Sequence, residues 1–318
     1  MIIIVSSGHH LTLTKGKVGS SIELKGGQLI ISSGGTAVGT TILTGLELVS
    51  RGGKSSQSQI SGGSQIVYSG GIASGATVSV HGTEVLSSGG TSIATTIKNG
   101  GTEIVDAHGI ASGTVVSNGG VLVDHAGAVV SGLKVLRGGT IDLAGGAFNG
   151  TIAGGGIEVV TAGTTISGQT ISAGVALVVS SGASAKSTTL GTGATETVEF
   201  GGTVAGTTKM GARSTLDVIV ATNSTALTVS GFGGNTIELA GFTISQPSFQ
   251  YTPAVGGAAG GVLTITAESR TASIHLFGQY VAAGFHVTGV SQNIFVTYSK
   301  PSGEVPADIV AGHHLTGH

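Results

Sequence analysis

The 318-residue chain contains no cysteine and no tryptophan. Without cysteine there is no disulfide framework and no thiolate metal site. Proline is scarce: Pro247, Pro253, Pro301 and Pro306 are the four, and none precedes residue 247. A proline inside stacked strands deletes a ladder donor, so the long proline-free stretch is free to stack. Charged residues make up only 9% of the chain and the net charge is −2. Nucleic acid therefore meets no basic field. Long hydrophobic runs are missing too. The stretch 159–185 is uncharged, but Gly, Ser and Thr fill it, so it does not read as a membrane span. No Gly-x-Ser-x-Gly elbow, phosphate-binding glycine loop or His-Glu-x-x-His helix is present. No cofactor is implied.

Glycine is abundant, at 59 residues. Disorder does not follow, because charge is low, mean hydropathy is positive and the apolar residues recur on a period. The segment GGTEIVDAHGIASGTVVSN from Gly100 shows the unit. The second glycine of the opening pair falls at Gly63, Gly82, Gly101, Gly120 and Gly139, a step of 19 each time. Gly156, Gly174 and Gly193 continue the series at 17, 18 and 19. A unit this short cannot bury a hydrophobic face alone, but stacked on copies of itself it can.

Three apolar columns follow from that alignment. One runs Ile30, Leu48, Ile66, Val85, Ile104, Val123, Val159, Leu177, and its neighbour runs Ile31, Val49, Val67, Leu86, Val105, Leu143, Val160, Val178. The third, on a second strand, runs Ile42, Ile60, Val78, Ile97, Val116, Val135, Ile152, Ile171. Most are β-branched and suit a pleated, packed surface. The fold class expected is all-β: a single-stranded parallel β-helix, or β-solenoid, of about eleven coils of ~19 residues with a C-terminal β-rich cap. Residues 1–20 read as an N-terminal cap, 21–213 as the repeat array, 214–300 as the capping module and 301–318 as a tail. Of the twelve Phe and Tyr residues nine lie beyond residue 230, so the cap should have a thicker, aromatic core.

The run GGTEIVDAHGIASGTVVSNGG resembles the strand-loop-strand repeat of autotransporter passenger domains, the AIDA-like adhesins of Gram-negative bacteria. The resemblance covers roughly residues 20–213 and rests on period, paired Gly and the Ala-x-Gly-Thr-x-Val second strand. It implies a non-enzymatic β-helix at the bacterial cell surface or outside the cell, working in adhesion, autoaggregation or biofilm. It also implies sugar attached to repeat Ser or Thr hydroxyls by a partner O-glycosyltransferase. Ser32, Ser33, Ser87, Ser88, Ser180 and Ser181, which crowd the turns, are the candidate acceptors; as turn formers they also bond local backbone. The opening MIIIVSSGHHLT has no basic flank and does not read as a signal peptide, and no C-terminal translocator barrel is evident.

Four further groups are candidates. Glu47, Gln65, Glu84 and Glu103 form a column, expected to face water and to serve self-association; a calcium-type cation is the alternative occupant. Lateral or head-to-tail self-association and a surface glycan are the expected partners. Asp106, Asp124 and Asp142, with His108 and His125, fall near one turn in consecutive coils. A diagonal step of 18 residues would bring the carboxyls together, as a polysaccharide-acting enzyme needs. A register of 19 would instead put them on alternating faces. Gly-His-His-Leu-Thr occurs at 8–12 and again at 312–316, where His313, His314 and His318 make a weak metal candidate.

Overall fold

The computed structural model describes residues 2–220, 224–242, 247–255, 259–267 and 270–301. Each coil makes three short strands, and each strand lies parallel on its counterpart in the next coil. Coil 82–100 shows the pattern: Thr83–Leu86 is wall one, Thr91–Ile93 wall two and Thr96–Ile97 wall three. About twelve turns stack this way. Wall one alternates as strands must: Glu84 and Leu86 point in, Thr83 and Val85 point out. The inward column Val67, Leu86, Val105 is fully buried, and its register continues through Asp124 to Leu143, Val160, Val179 and Val198.

Glycine turns the corners. Gly89 has φ +74°, a conformation that strains any residue with a Cβ. At Gly101 the constraint is space, since a Cβ there would overlap the Val78 carbonyl of the coil before.

Several expected boundaries move. Residues 3–20 are not a separate cap: their strands already pair in parallel with the coil that follows. Parallel stacking also runs past residue 213, and on wall one it ends at Thr236–Ala240. There Asn293–Tyr298 pairs antiparallel, and Phe285–Val290 pairs antiparallel on its far edge and closes the wall. A second antiparallel set, Ser248–Pro253 and Gly261–Ala267, finishes the other sheet. Phe232, Tyr251, Tyr280, Phe285 and Tyr298 fill this end, with the Phe285 and Tyr298 rings 5.0 Å apart edge-on.

The column alignment needs three repairs. Val85, Ile104 and Val123 are register partners, as the period requires, but the next positions are Asp142, Val159 and Val178, not Leu177. Val179 takes the buried place expected for Val178. The Gly156 position continues as Val175 and Ala194, so Gly174 and Gly193 are the turn residues just before it.

One coil breaks the rod's regularity. Between Gly139 and Gly156 the chain is two residues short of the usual unit. One is missing from each of two corners: between the partners His125/Ala144 and Val130/Phe148, and again where Ser131–Leu133 faces Asn149–Gly150. A small loop cannot run beneath a full-sized one on every side. Wall one keeps its register across the step, Asp142 on Val159 and Leu143 on Val160. On the other walls Phe148–Ile152 pairs only backward, and Thr165–Ser167 and Thr170–Ile171 pair only forward.

Candidate functional site

The Glu column is inside the solenoid. Glu47, Gln65, Glu84 and Glu103 are all 0% exposed. The water-facing, self-associating ladder is therefore overturned, because in the strand Thr83–Leu86 the Glu position shares its face with buried Leu86, not with half-exposed Val85. The same column carries Leu122, Ile141, Glu158, Leu177 and Glu196 in later coils. Buried carboxyls need hydrogen-bond partners, and hydroxyls on the facing walls supply them. Thr95 donates to Glu84 at 2.8 Å, Thr114 and Ser92 to Glu103 at 2.9 and 2.7 Å, and Thr188 to Glu196 at 2.7 Å. The Gln65 amide donates to Glu47 at 3.0 Å and to Ser55 at 3.1 Å. Where the column is Leu122, the facing positions are Val130 and Leu133, also apolar.

Burial raises the pKa of each of these carboxyls. Glu84 goes well above the ordinary range, from desolvation first and the Glu103 carboxyl second. Desolvation pushes Glu196 up to about 7, against the opposing Thr188 bond. Glu47, Glu103 and Glu158 are raised for the same first reason. A protonated carboxyl inside is a hydrogen-bond donor as well as an acceptor. The column is thus a structural ladder in which burial favours the neutral form of each acid.

The three aspartates separate. Asp124 takes a core position, 0% exposed, beside Val105 and Leu143. Neither of its carboxyl oxygens has a partner, and desolvation lifts its pKa to about 6. Asp142 sits on the outer side of wall one, in register with Val123. Asp106 lies at the corner, where its carboxylate meets His125 Nδ1 at 3.0 Å. The register is 19, so the carboxyls alternate between faces and the polysaccharide-cleaving arrangement is not assembled. His108 holds a corner in the left-handed region at φ 64°. His313, His314 and His318 lie outside the described residues. Among the described residues no cluster could hold a metal ion, and no helix is long and apolar enough to cross a membrane.

The candidate acceptor serines fall together. Ser32, Ser87 and Ser180 follow the buried wall-one column by one residue, and Ser33, Ser88 and Ser181 by two. All six therefore lie along one corner of the rod. Ser33, Ser88 and Ser181 are exposed and the other three half-buried.

The break between coils opens a cleft of about 720 Å³ that sequence reasoning missed. Its lining includes Phe148, Gly150, Glu158, Ser167, Gln169 and Thr170. Gly150 occupies the inward column of Thr114 and Leu133 and leaves it empty of side chain. Glu158 accepts a 2.6 Å bond from Gln169 Nε2. The one signal in the sequence was the 17-residue step to Gly156.

No family model matches the chain, and no curated protein matches it. Among solved structures it is similar to the crystal structure of a TibC-catalysed hyper-glycosylated fragment of TibA, residues 55–350 of that protein. Identity is 27% and the TM-score 0.52, over 73% of this chain and 91% of that one. The shared fold is a parallel β-solenoid. The TibA fragment is hyper-glycosylated, and TibC catalyses that glycosylation.

Proposed function

We propose that this chain is a non-enzymatic rod displayed at the bacterial cell surface or outside the cell, working in adhesion, autoaggregation and matrix building. Its corner serines carry sugars placed by an O-glycosyltransferase. The observation that carries the reading is the single corner on which the pairs Ser32/Ser33, Ser87/Ser88 and Ser180/Ser181 align, three and then five coils apart. A transferase that accepts one such hydroxyl meets the same corner geometry at each of these three coils. The hyper-glycosylated TibA fragment supports the reading, since a chain of the same architecture is a substrate for such a reaction.

Repetition supplies the adhesive strength. Weak contacts repeated along a rigid rod add by multivalency. Self-association needs a surface other than the buried Glu column. The outer side of wall one offers Ile30, Leu48, Ile66, Val85, Ile104 and Val123 stacked and half-exposed. Two rods laid side by side would cover that stripe.

The test is an intact-mass spectrum of the protein from its native source, with peptide mapping, beside a settling assay of cells that display it. Sugar-sized additions on Ser33, Ser88 or Ser181 and faster settling are expected. Bare serines at every corner position would end the glycoprotein reading. Settling equal to that of undecorated cells would end the adhesive one.

A further inference from the structure

The cleft at the short coil lies where two of the three walls part. Its size, about 720 Å³, lies within the range of small-molecule sites. Three observations describe what it offers. The strands on both sides, Phe148–Ile152 below and Thr165–Ser167 with Thr170–Ile171 above, have unpaired edges there. Glu158 is 1% exposed yet lines the cleft, and its Oε1 is held by Gln169 Nε2. Ser167 and Thr170 put exposed hydroxyls at the mouth, and Phe148 puts an aromatic ring in the wall.

The lining chemistry selects the occupant. No lysine, arginine or histidine lines the cleft, so an anion finds no counter-charge beside a carboxyl. One carboxyl alone does not make the oxygen-rich shell of a divalent cation. An extended peptide needs a straight edge to pair with. Here the edge turns at Gly168 after three residues, with φ +66°. A compact, neutral, polyhydroxylated ligand meets every requirement. Its hydroxyls both donate and accept, so they can complete the free main-chain groups, the Glu158 carboxyl and the Gln169 amide. Its C–H face can lie on the Phe148 ring.

We propose that this cleft is a binding site for a neutral sugar residue. The site would hold a carbohydrate non-covalently, away from the serine corner, and it does not depend on the adhesive reading. Adhesion fails or stands in the settling assay; the cleft fails or stands in a binding experiment.

That experiment is saturation-transfer NMR on the full chain with the methyl glycosides of D-glucose, D-galactose, D-mannose and N-acetyl-D-glucosamine. At least one is expected to receive saturation from the protein. Glu158→Gln should weaken that ligand at least tenfold, and Ser167→Trp, at an exposed rim position, should abolish the signal while the circular dichroism spectrum and Tm stay unchanged. Transfer to none of the four overturns the proposal. So does transfer that survives Ser167→Trp, because the sugar would then sit elsewhere. Should Glu158→Gln unfold the rod, Ser167→Trp still decides.

Discussion

Coils 46–120 and coils 121–156 share one backbone plan and differ inside. In the first group the wall-one column carries Glu47, Gln65, Glu84 and Glu103, and serine or threonine hydroxyls meet them. In the second the same column carries Leu122 and Ile141, and the facing positions carry Val130, Leu133, Phe148 and Gly150. A coil's interior is thus matched as a set: acid with hydroxyl, or apolar with apolar. The only mismatch in the second group is Asp124, alone in the aliphatic column. Length is the other variable, since the coil two residues short is the one that opens the walls.

The harshest way to break this matching is Leu122→Glu. It places an acid where Val130 and Leu133 offer no donor, and should cost about 3–5 kcal/mol in denaturant unfolding. Adding Leu133→Thr should return about 1 kcal/mol. No rescue would mean that interior sets are not matched coil by coil.

Next in size is the pH response. Folding raises the interior Glu pKa values above their ordinary 4.5. Above that pH the native state therefore holds more protons than the unfolded state. This contribution to stability should be fully present at and below about pH 4.5 and fall as pH rises, with the Glu196 share, up to about 3 kcal/mol, lost by about pH 7. Thermal scans should give a lower Tm at pH 8 than at pH 5, and Glu196→Gln should narrow the gap. A Tm that rises over this interval would contradict the upward pKa shifts of the buried column.

Asp124→Val repairs the mismatch. It should stabilise the rod by about 2 kcal/mol at pH 8, where the buried carboxyl would otherwise ionise, and by less at pH 5, below its pKa of about 6. Smallest is Thr95→Val, which removes the donor to Glu84 and should cost about 1 kcal/mol. Equal effects at both pH values for Asp124→Val, or none for Thr95→Val, would blur the contrast between the two groups of coils.

The stacking was legible in the sequence because glycine and β-branched residues keep the period; Val78, Ile97 and Val116 sit one above another inside, as read. Which side of wall one faces in was not legible from a single coil. In Glu103-Ile104-Val105 the strand's alternation must bury either Ile104 or the pair Glu103 and Val105, and charge argues for Ile104. The answer lay further along the chain. The Ile104 column later takes Asp142, Thr197, Asp217 and Glu238, whereas the Glu103 column takes Leu122, Ile141, Leu177 and Leu216. Four of the buried acids also find a hydroxyl or amide eleven residues on, as Glu84 finds Thr95. The cleft was harder to see, because two missing residues announce a short coil but not which walls separate. Only the unbroken wall-one register shows that the mismatch falls on the other two.

The rod with its single serine corner can be measured directly, and the absence of cysteine makes the labelling clean. Nitroxides placed at Ser33, Ser88 and Ser181 in pairs report distances along the axis. Ser181 lies eight coils beyond Ser33 and five beyond Ser88. Pulsed dipolar spectroscopy should give narrow distributions near ~38 Å for Ser33 with Ser181 and ~24 Å for Ser88 with Ser181, one strand spacing per coil. Distances that do not scale with the number of coils, or broad distributions centred on one value for both pairs, would show that the coils do not stack in register along one corner.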